Sequence, residues 1–299
     1  MAKKQYLGQE YATATQGKGL QQDSLGLRIV TRVTVTFSVA VMLVSVAIIT
    51  CCAIFFLSPI LGTSMMTTLN ATGENTDSAL ACRVITPHRG DIVITKLYQS
   101  QTKYADDGTT TATKERFPSS DFNGRYVLVI KRLIAVGGDQ IMVRRTPNGG
   151  TDSNADYNYD YAIYLNGEKL DEPYLDPTIG KPNAINFIQL YNILNNPASA
   201  DHSDWRATDE SDCITTVEHD GQREGVLTIP EGHYFYMGDN RGGRASEYSN
   251  SWDCCRMGPL PTSQYVGTCV DVVNKDTNLP AYVWDKIVYY VFFGWAWQK

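Results

Sequence analysis

Several features that would assign a chemistry at once are missing from this chain. Its seven cysteines form no C-x-x-C pair, which removes zinc-ribbon and thioredoxin-like spacings. The four histidines, His88, His202, His219 and His233, show no metal-ligand spacing, so no metal and no other cofactor is expected. Positive charge is scarce in the main body. The residues before Val33 sum to +3 and the remainder to −9, out of a net −6. An acidic body excludes the usual nucleic-acid binder, which neutralises phosphates with Lys and Arg. There is no internal repeat, and outside one apolar run no helical periodicity is sustained, apart from a weak stretch at 185–194.

What is present begins with that run. No charged residue occurs from Val33 to Gly73, and 33–57 is almost continuous Val, Ile, Leu, Phe, Ala and small hydroxyl residues. As a helix it would measure roughly 37 Å, at about 1.5 Å per residue, enough to cross the hydrocarbon core with some tilt. A cleaved signal peptide has a shorter apolar region, and a buried core helix is rarely this long. Basic residues before the run, with none close after it, place the N-terminus in the cytoplasm and everything from Ser58 outside. Residues 1–32 then form a polar cytoplasmic tail.

The body beyond reads as β-rich. Short β-branched segments at 91–97, 126–134, 140–144, 226–229, 233–237 and 265–273 are bounded by Gly, Asp and Pro. Asn166-Gly167 after an alternating run is a hairpin-turn signal. Polar insertions at 98–121, 146–160 and 178–224 look like surface elaborations. The aromatic tail, 277–299, suits either a membrane interface or a buried strand.

Two residues stand out for chemistry. Ser64 lies in the uncharged segment Leu61-Gly62-Thr63-Ser64-Met65-Met66 just after the apolar run, where a solvated or backbone-bonded serine is the ordinary alternative. Lys131 ends Tyr126-Val127-Leu128-Val129-Ile130-Lys131, a strand apolar on both faces. Burial there would lower the pKa of its ammonium, and a neutral lysine can take a serine's proton. The alternative is a lysine that snorkels out at the strand's end. Gly238-Asp239-Asn240-Arg241 reads as a turn held by its own side chains, with Arg241 and Asp253 a possible ion pair. A Ser-His-Asp arrangement would need a histidine near Ser64, and none of the four has a distinctive setting.

Taken together these pieces resemble the bacterial type I signal peptidases. Ser64-Met65-Met66-Thr67-Thr68-Leu69 is similar to that family's Ser-Met-x-Pro-Thr-Leu. Arg89-Gly90-Asp91 follows, then Lys131-Arg132-Leu133-Ile134-Ala135-Val136-Gly137-Gly138-Asp139, then Asn166-Gly167 to Glu172-Pro173-Tyr174, then Gly238-Asp239-Asn240-Arg241, in family order over 33–273. The resemblance implies a mainly β, signal-peptidase/LexA-like antiparallel β-sheet catalytic domain over 58–276, carried by one N-terminal transmembrane helix. It implies a Ser-Lys endopeptidase that removes signal peptides from exported preproteins through an acyl-enzyme, with Ser64 as nucleophile and Lys131 as base. The implied partners are preproteins, met through Met65 among others, and membrane lipid. Neither nucleic acid nor metal is implied.

The resemblance also locates departures. Some relatives carry a hydroxyl two positions before the nucleophile, where this chain has Gly62. The family's Ser-x-Asp-Ser-Arg box best matches Ser251-Trp252-Asp253-Cys254-Cys255. Ser251 would orient the lysine, with Ser246 or Ser249 as substitutes, and Asp253 would be ion-paired. Cys255 stands where the family has arginine, leaving Arg256, Arg241 or Arg244 as partners for Asp253. Of the five cysteines outside the apolar run, Cys213 could bridge to Cys254 or Cys255. The remaining functional readings are a dedicated maturase for one pilin or surface-protein class, and a non-catalytic membrane-anchored β scaffold.

Overall fold

The computed structural model describes residues 25–66, 68–70, 77–98, 100–104, 110–115, 126–175, 181–196, 213–219, 221–242, 253–274, 281–282 and 284. Thr67, Ser246, Ser249, Ser251, the tail before residue 25 and the aromatic stretch beyond 284 fall outside them. The chain divides into two units, 1–53 and 54–299.

The first unit contains all but the last residue of the apolar helix α1, Leu25–Ile54. Its 30 residues make it long and apolar enough to cross a membrane. Hydroxyls that would be stranded in an apolar phase are satisfied within the helix. Thr31, Ser45 and Thr50 each donate to the carbonyl four residues earlier at 2.8 Å, as such a phase requires. The helix begins eight residues before the expected start at 33. Its expected last residues, 55–57, open the first strand instead, because Phe and Leu suit a half-buried strand as well as a helix.

The second unit is built from antiparallel sheets. The larger has the order β1-β2-β14-β3-β6-β12-β13. Its strands are β1 (Phe55–Pro59), β2 (Ser78–Cys82), β3 (Ile92–Tyr98), β6 (Tyr126–Val136), β12 (His233–Met237), β13 (Leu260–Pro261) and β14 (Tyr265–Val273). The smaller, β10-β11-β7-β8-β9, holds β7 (Gln140–Pro147), β8 (Tyr159–Leu165), β9 (Glu168–Lys169), β10 (Ile214–His219) and β11 (Gln222–Thr228). β8 and β9 meet at Asn166-Gly167, both at positive φ (53° and 87°), the geometry of a tight hairpin turn. The Thr-rich insertion forms a separate hairpin, β4 (Ser100–Tyr104) with β5 (Thr110–Glu115).

Between the sheets lies the main core, with Val93, Leu133, Ile141, Ile163, Leu227 and Phe235 all nearly inaccessible. Part of the insertion 178–224 belongs to the core and is no surface elaboration. It supplies the helix α2, Ile185–Asn195, whose Phe187, Ile188, Leu190, Ile193 and Leu194 are buried in this core. A smaller cluster lies under the Ser64 loop: Ile60, Met65, Leu69, Ala79, Ala81, Ile94 and Ile130.

Candidate active site

Lys131 is the sixth residue of β6 and is paired with Val93 of β3. The alternation puts Lys131 on the side of Val93 and Leu133, toward the main core, and Ile130 toward the smaller cluster. Lys131 is only 3% exposed, so it does not snorkel out. Burial pushes its ammonium down from 10.5 to about 8, against the upward pull of Asp253, Asp239 and Cys254. Among the described residues no ion pair or side-chain hydrogen bond reaches its Nζ. About one tenth of such a lysine is neutral at pH 7, compared with less than a thousandth of an ordinary one.

Ser64 sits in a loop held from within and from outside. Met66 N–H bonds back to Thr63 and Leu69 N–H to Met65, making one helical turn that drives Met65 (1% exposed) and Leu69 into the smaller cluster. Met65 is therefore packed under the loop in this structure. Asn70, at φ 53°, closes the loop by donating Nδ2 to Ile60 O at 2.9 Å and exchanging hydrogen bonds with Asp77. Gly62 is at φ 86°. A serine there would have room but would occupy a disfavoured backbone region, which accounts for the missing second hydroxyl.

The outer clamp is the Gly238–Arg241 turn. Asn240 donates its backbone N–H to Ser64 O at 3.0 Å and its Nδ2 to Thr63 O at 3.0 Å. Thr68 Oγ1 donates to Asp239 Oδ2 at 2.5 Å. Both oxygens of Asp239 also bind the Arg132 guanidinium, at 2.8 and 2.5 Å. Arg132, the residue after Lys131, and Thr63, Ser64 and Thr68 of the serine loop are thus tied to one turn, which joins that loop to the lysine strand.

The other motif residues brace this corner. Asp139 accepts from Arg89, from Asn166 Nδ2 at 2.8 Å and from Val136 N–H at 2.9 Å. Burial pushes its carboxyl up, but these bonds outweigh it and hold the pKa below its ordinary value. Arg241, fully buried, pairs with Glu172 and donates Nε to Gly238 O at 2.8 Å. It does not pair with Asp253, as one sequence reading had it. Tyr174 donates to Glu172 and its ring lies 3.8 Å from the Arg132 guanidinium.

Asp253 is fully buried and caps the short helix α3, Cys254–Met257, by accepting Cys255 N–H at 3.0 Å. It also accepts from Asn186 Nδ2 at 2.9 Å and Gly238 N–H at 3.3 Å. None of the seven cysteines is in a disulfide, so the suggested bridge from Cys213 does not form. Cys254 Sγ instead accepts the N–H of Tyr236 at 3.1 Å, at the bulge where β12 slips register against β6. Asn186 was missed in the sequence, where an asparagine in a weakly periodic stretch carries no motif.

Residues 31–273 match the family model described as signal peptidase, peptidase S26. The chain is 25% identical over 181 residues to signal peptidase I of Rickettsia typhi (strain ATCC VR-144 / Wilmington), a match covering 60% of this chain and half of that relative. The crystal structure of a signal peptidase I from Enterococcus faecalis V583 aligns with 62% of this chain and 99% of its own, at 21% identity and a TM-score of 0.26.

Proposed function

We propose, from the premise that this chain belongs to the signal peptidase family, peptidase S26, that it is a membrane-anchored Ser-Lys endopeptidase removing signal peptides from exported preproteins. The observation that carries the reading is Lys131, buried in the middle of β6 with its pKa brought down to about 8. A buried lysine without a compensating ion pair destabilises a fold, and general-base chemistry gives it a use.

In this reading neutral Lys131 takes the proton from Ser64 Oγ as the oxygen attacks the scissile carbonyl. The backbone N–H of Ser64 stabilises the oxyanion. Collapse of the tetrahedral intermediate breaks the C–N bond, and the Lys131 ammonium returns the proton to the leaving amine. Water, deprotonated by the same lysine, then releases the cleaved signal peptide from Ser64. Asp239, Asn240 and Arg241 support this by position, and Ser251 is the candidate to orient the lysine. Among the described residues, β6 has no ladder partner on its β12 side before Arg132. That open edge beside Lys131 suits an extended preprotein segment added as a strand. Helix α1 would anchor the enzyme in lipid, with the basic N-terminus in the cytoplasm and the catalytic unit outside.

The test is cleavage of a labelled preprotein by the detergent-solubilised protein, comparing wild type with Ser64→Ala and Lys131→Ala. Cleavage by wild type alone, after a small residue, is the expected result. Unchanged cleavage by Lys131→Ala would sink the reading. A panel of preproteins separates broad processing from a dedicated maturase.

A further inference from the structure

Part of the support for Asp253 comes from outside every recognised motif. Asn186 is the second residue of α2, in the insertion, and is 4% exposed. Its Nδ2 donates to Asp253 Oδ2 at 2.9 Å, and its own N–H donates to Arg241 O at 3.1 Å. The helix that carries it is fixed on two further sides. Phe187 lies under the Arg241 guanidinium, at 5.0 Å, and the Asn195 side chain accepts the N–H of Gly225 at 2.8 Å.

Three groups act electrostatically on Lys131: Asp253, Asp239 and Cys254. Asp239 is engaged on both oxygens by Arg132 and also by Thr68. Cys254 Sγ is occupied by the Tyr236 N–H. Cys255, next to Asp253 and Arg241, is kept a neutral thiol by burial and by the Asp253 charge. Arg241 is matched by Glu172. Asp253 exerts the strongest pull of the three, and no direct ion pair joins it to Lys131 among the described residues.

We propose that Asn186 is a positioning residue for the Lys131 base: with the Gly238 N–H it holds Oδ2 of Asp253, and so keeps that carboxylate from closing onto the lysine ammonium. This rests on the Ser64–Lys131 reading. A carboxylate in direct contact with a buried ammonium stabilises the charged form, and a base locked in that pair is out of use near neutrality. The insertion would then serve the chemistry, taking a place in this box where the family's arginine is replaced by Cys255.

The experiment is the pH profile of kcat/KM for cleavage of a labelled preprotein, on the full-length protein in detergent. Wild type, Asn186→Leu, Asp253→Asn and Lys131→Ala are compared. In Asn186→Leu the acid limb should move up by about one pH unit, so activity at pH 7 falls about tenfold and is regained above pH 9. In Asp253→Asn, which removes the negative charge, the limb should move down. Should Asn186→Leu fold poorly, Asn186→Ser, which is smaller and polar, is measured in the same way for the same upward shift. A uniform loss at every pH, with the limb unmoved, would mean a merely structural role and would overturn the inference alone. A wild-type rate in Lys131→Ala would instead remove the dyad reading on which it rests.

Discussion

Arg132 and Asp239 form a bidentate pair, Nε to Oδ1 at 2.8 Å and Nη2 to Oδ2 at 2.5 Å, with side chains 10% and 0% exposed. The same carboxylate accepts Thr68 Oγ1. One ion pair therefore fixes the residue after the candidate base against the loop of the candidate nucleophile. Asp239→Ala would leave a buried guanidinium without its counter-charge, a change that typically costs about 3–5 kcal/mol. Unfolding of the purified protein should show a loss of that order, and preprotein cleavage should fall with it. Arg132→Lys keeps the charge but loses the fork, and should fall between Asp239→Ala and wild type in both measurements.

Asn240 offers a cleaner separation of stability from chemistry. Its side chain contributes the bond to Thr63 O and accepts the N–H of Gly242 at 3.0 Å. Asn240→Ala removes these but keeps the backbone bond to Ser64, so the fold should lose only about 1–2 kcal/mol. The serine would be less well aimed, and small misplacements of a nucleophile cost on the order of 100-fold in rate. Steady-state kinetics should show the loss in kcat, with KM little changed.

Lys131 gives a prediction with a definite sign. Its folded pKa of about 8 lies below the 10.5 of a solvent-exposed lysine, the value expected in the unfolded chain. Between those pH values the unfolded chain binds the additional proton, so stability rises with pH across the window. The destabilisation is fully present below about pH 8 and gone above about pH 10.5, and amounts to on the order of 3 kcal/mol. Lys131→Met, similar in length and uncharged, should recover most of that at pH 7 and abolish cleavage. Denaturant unfolding at pH 7 and pH 10 checks it, because the gap between variant and wild type should narrow at the higher pH.

Most of the strands were legible because they combine β-branched residues with turn residues at their ends. The segments read at 140–144 and 265–273, which the structure shows as Gln140–Pro147 and Tyr265–Val273, are of this kind. Strand β2, Ser78–Cys82, was not, since Ser-Ala-Leu-Ala-Cys has no β-branched residue and earns its place by pairing with both β1 and β14. Residues 55–57 were hidden for the opposite reason, as their apolar character continues the membrane run. At the site, Ser64 and Lys131 could be named from local pattern and resemblance. The partners of Asp253 could not, because Asn186 lies 67 residues away in sequence and nothing local marks an asparagine as a donor to a buried carboxylate. The burial of Met65 was not legible either, because it follows from the helical turn after Ser64, which carries that side chain into the smaller cluster.

The dependence of the site on the insertion can be probed by a substitution that alters no charge. Gly225 of β11 passes so close to α2 that a Cβ there would lie 1.9 Å from the carbonyl oxygen of Leu194. Backbone on both sides leaves little to yield, so in Gly225→Ala the C-terminal end of α2 must shift away from the smaller sheet. A shift of that kind costs about 1–3 kcal/mol in a packed core. If α2 moves as a rigid helix, Asn186 at its other end is withdrawn from Asp253. Gly225→Ala should then reproduce in milder form the upward move of the acid limb expected of Asn186→Leu, together with a lowered unfolding midpoint. A lowered midpoint with the limb in its wild-type place would show that α2 bends near its C-terminus and leaves Asn186 where it is. The pH profile of this single variant therefore reports whether the helix transmits strain along its length to the base.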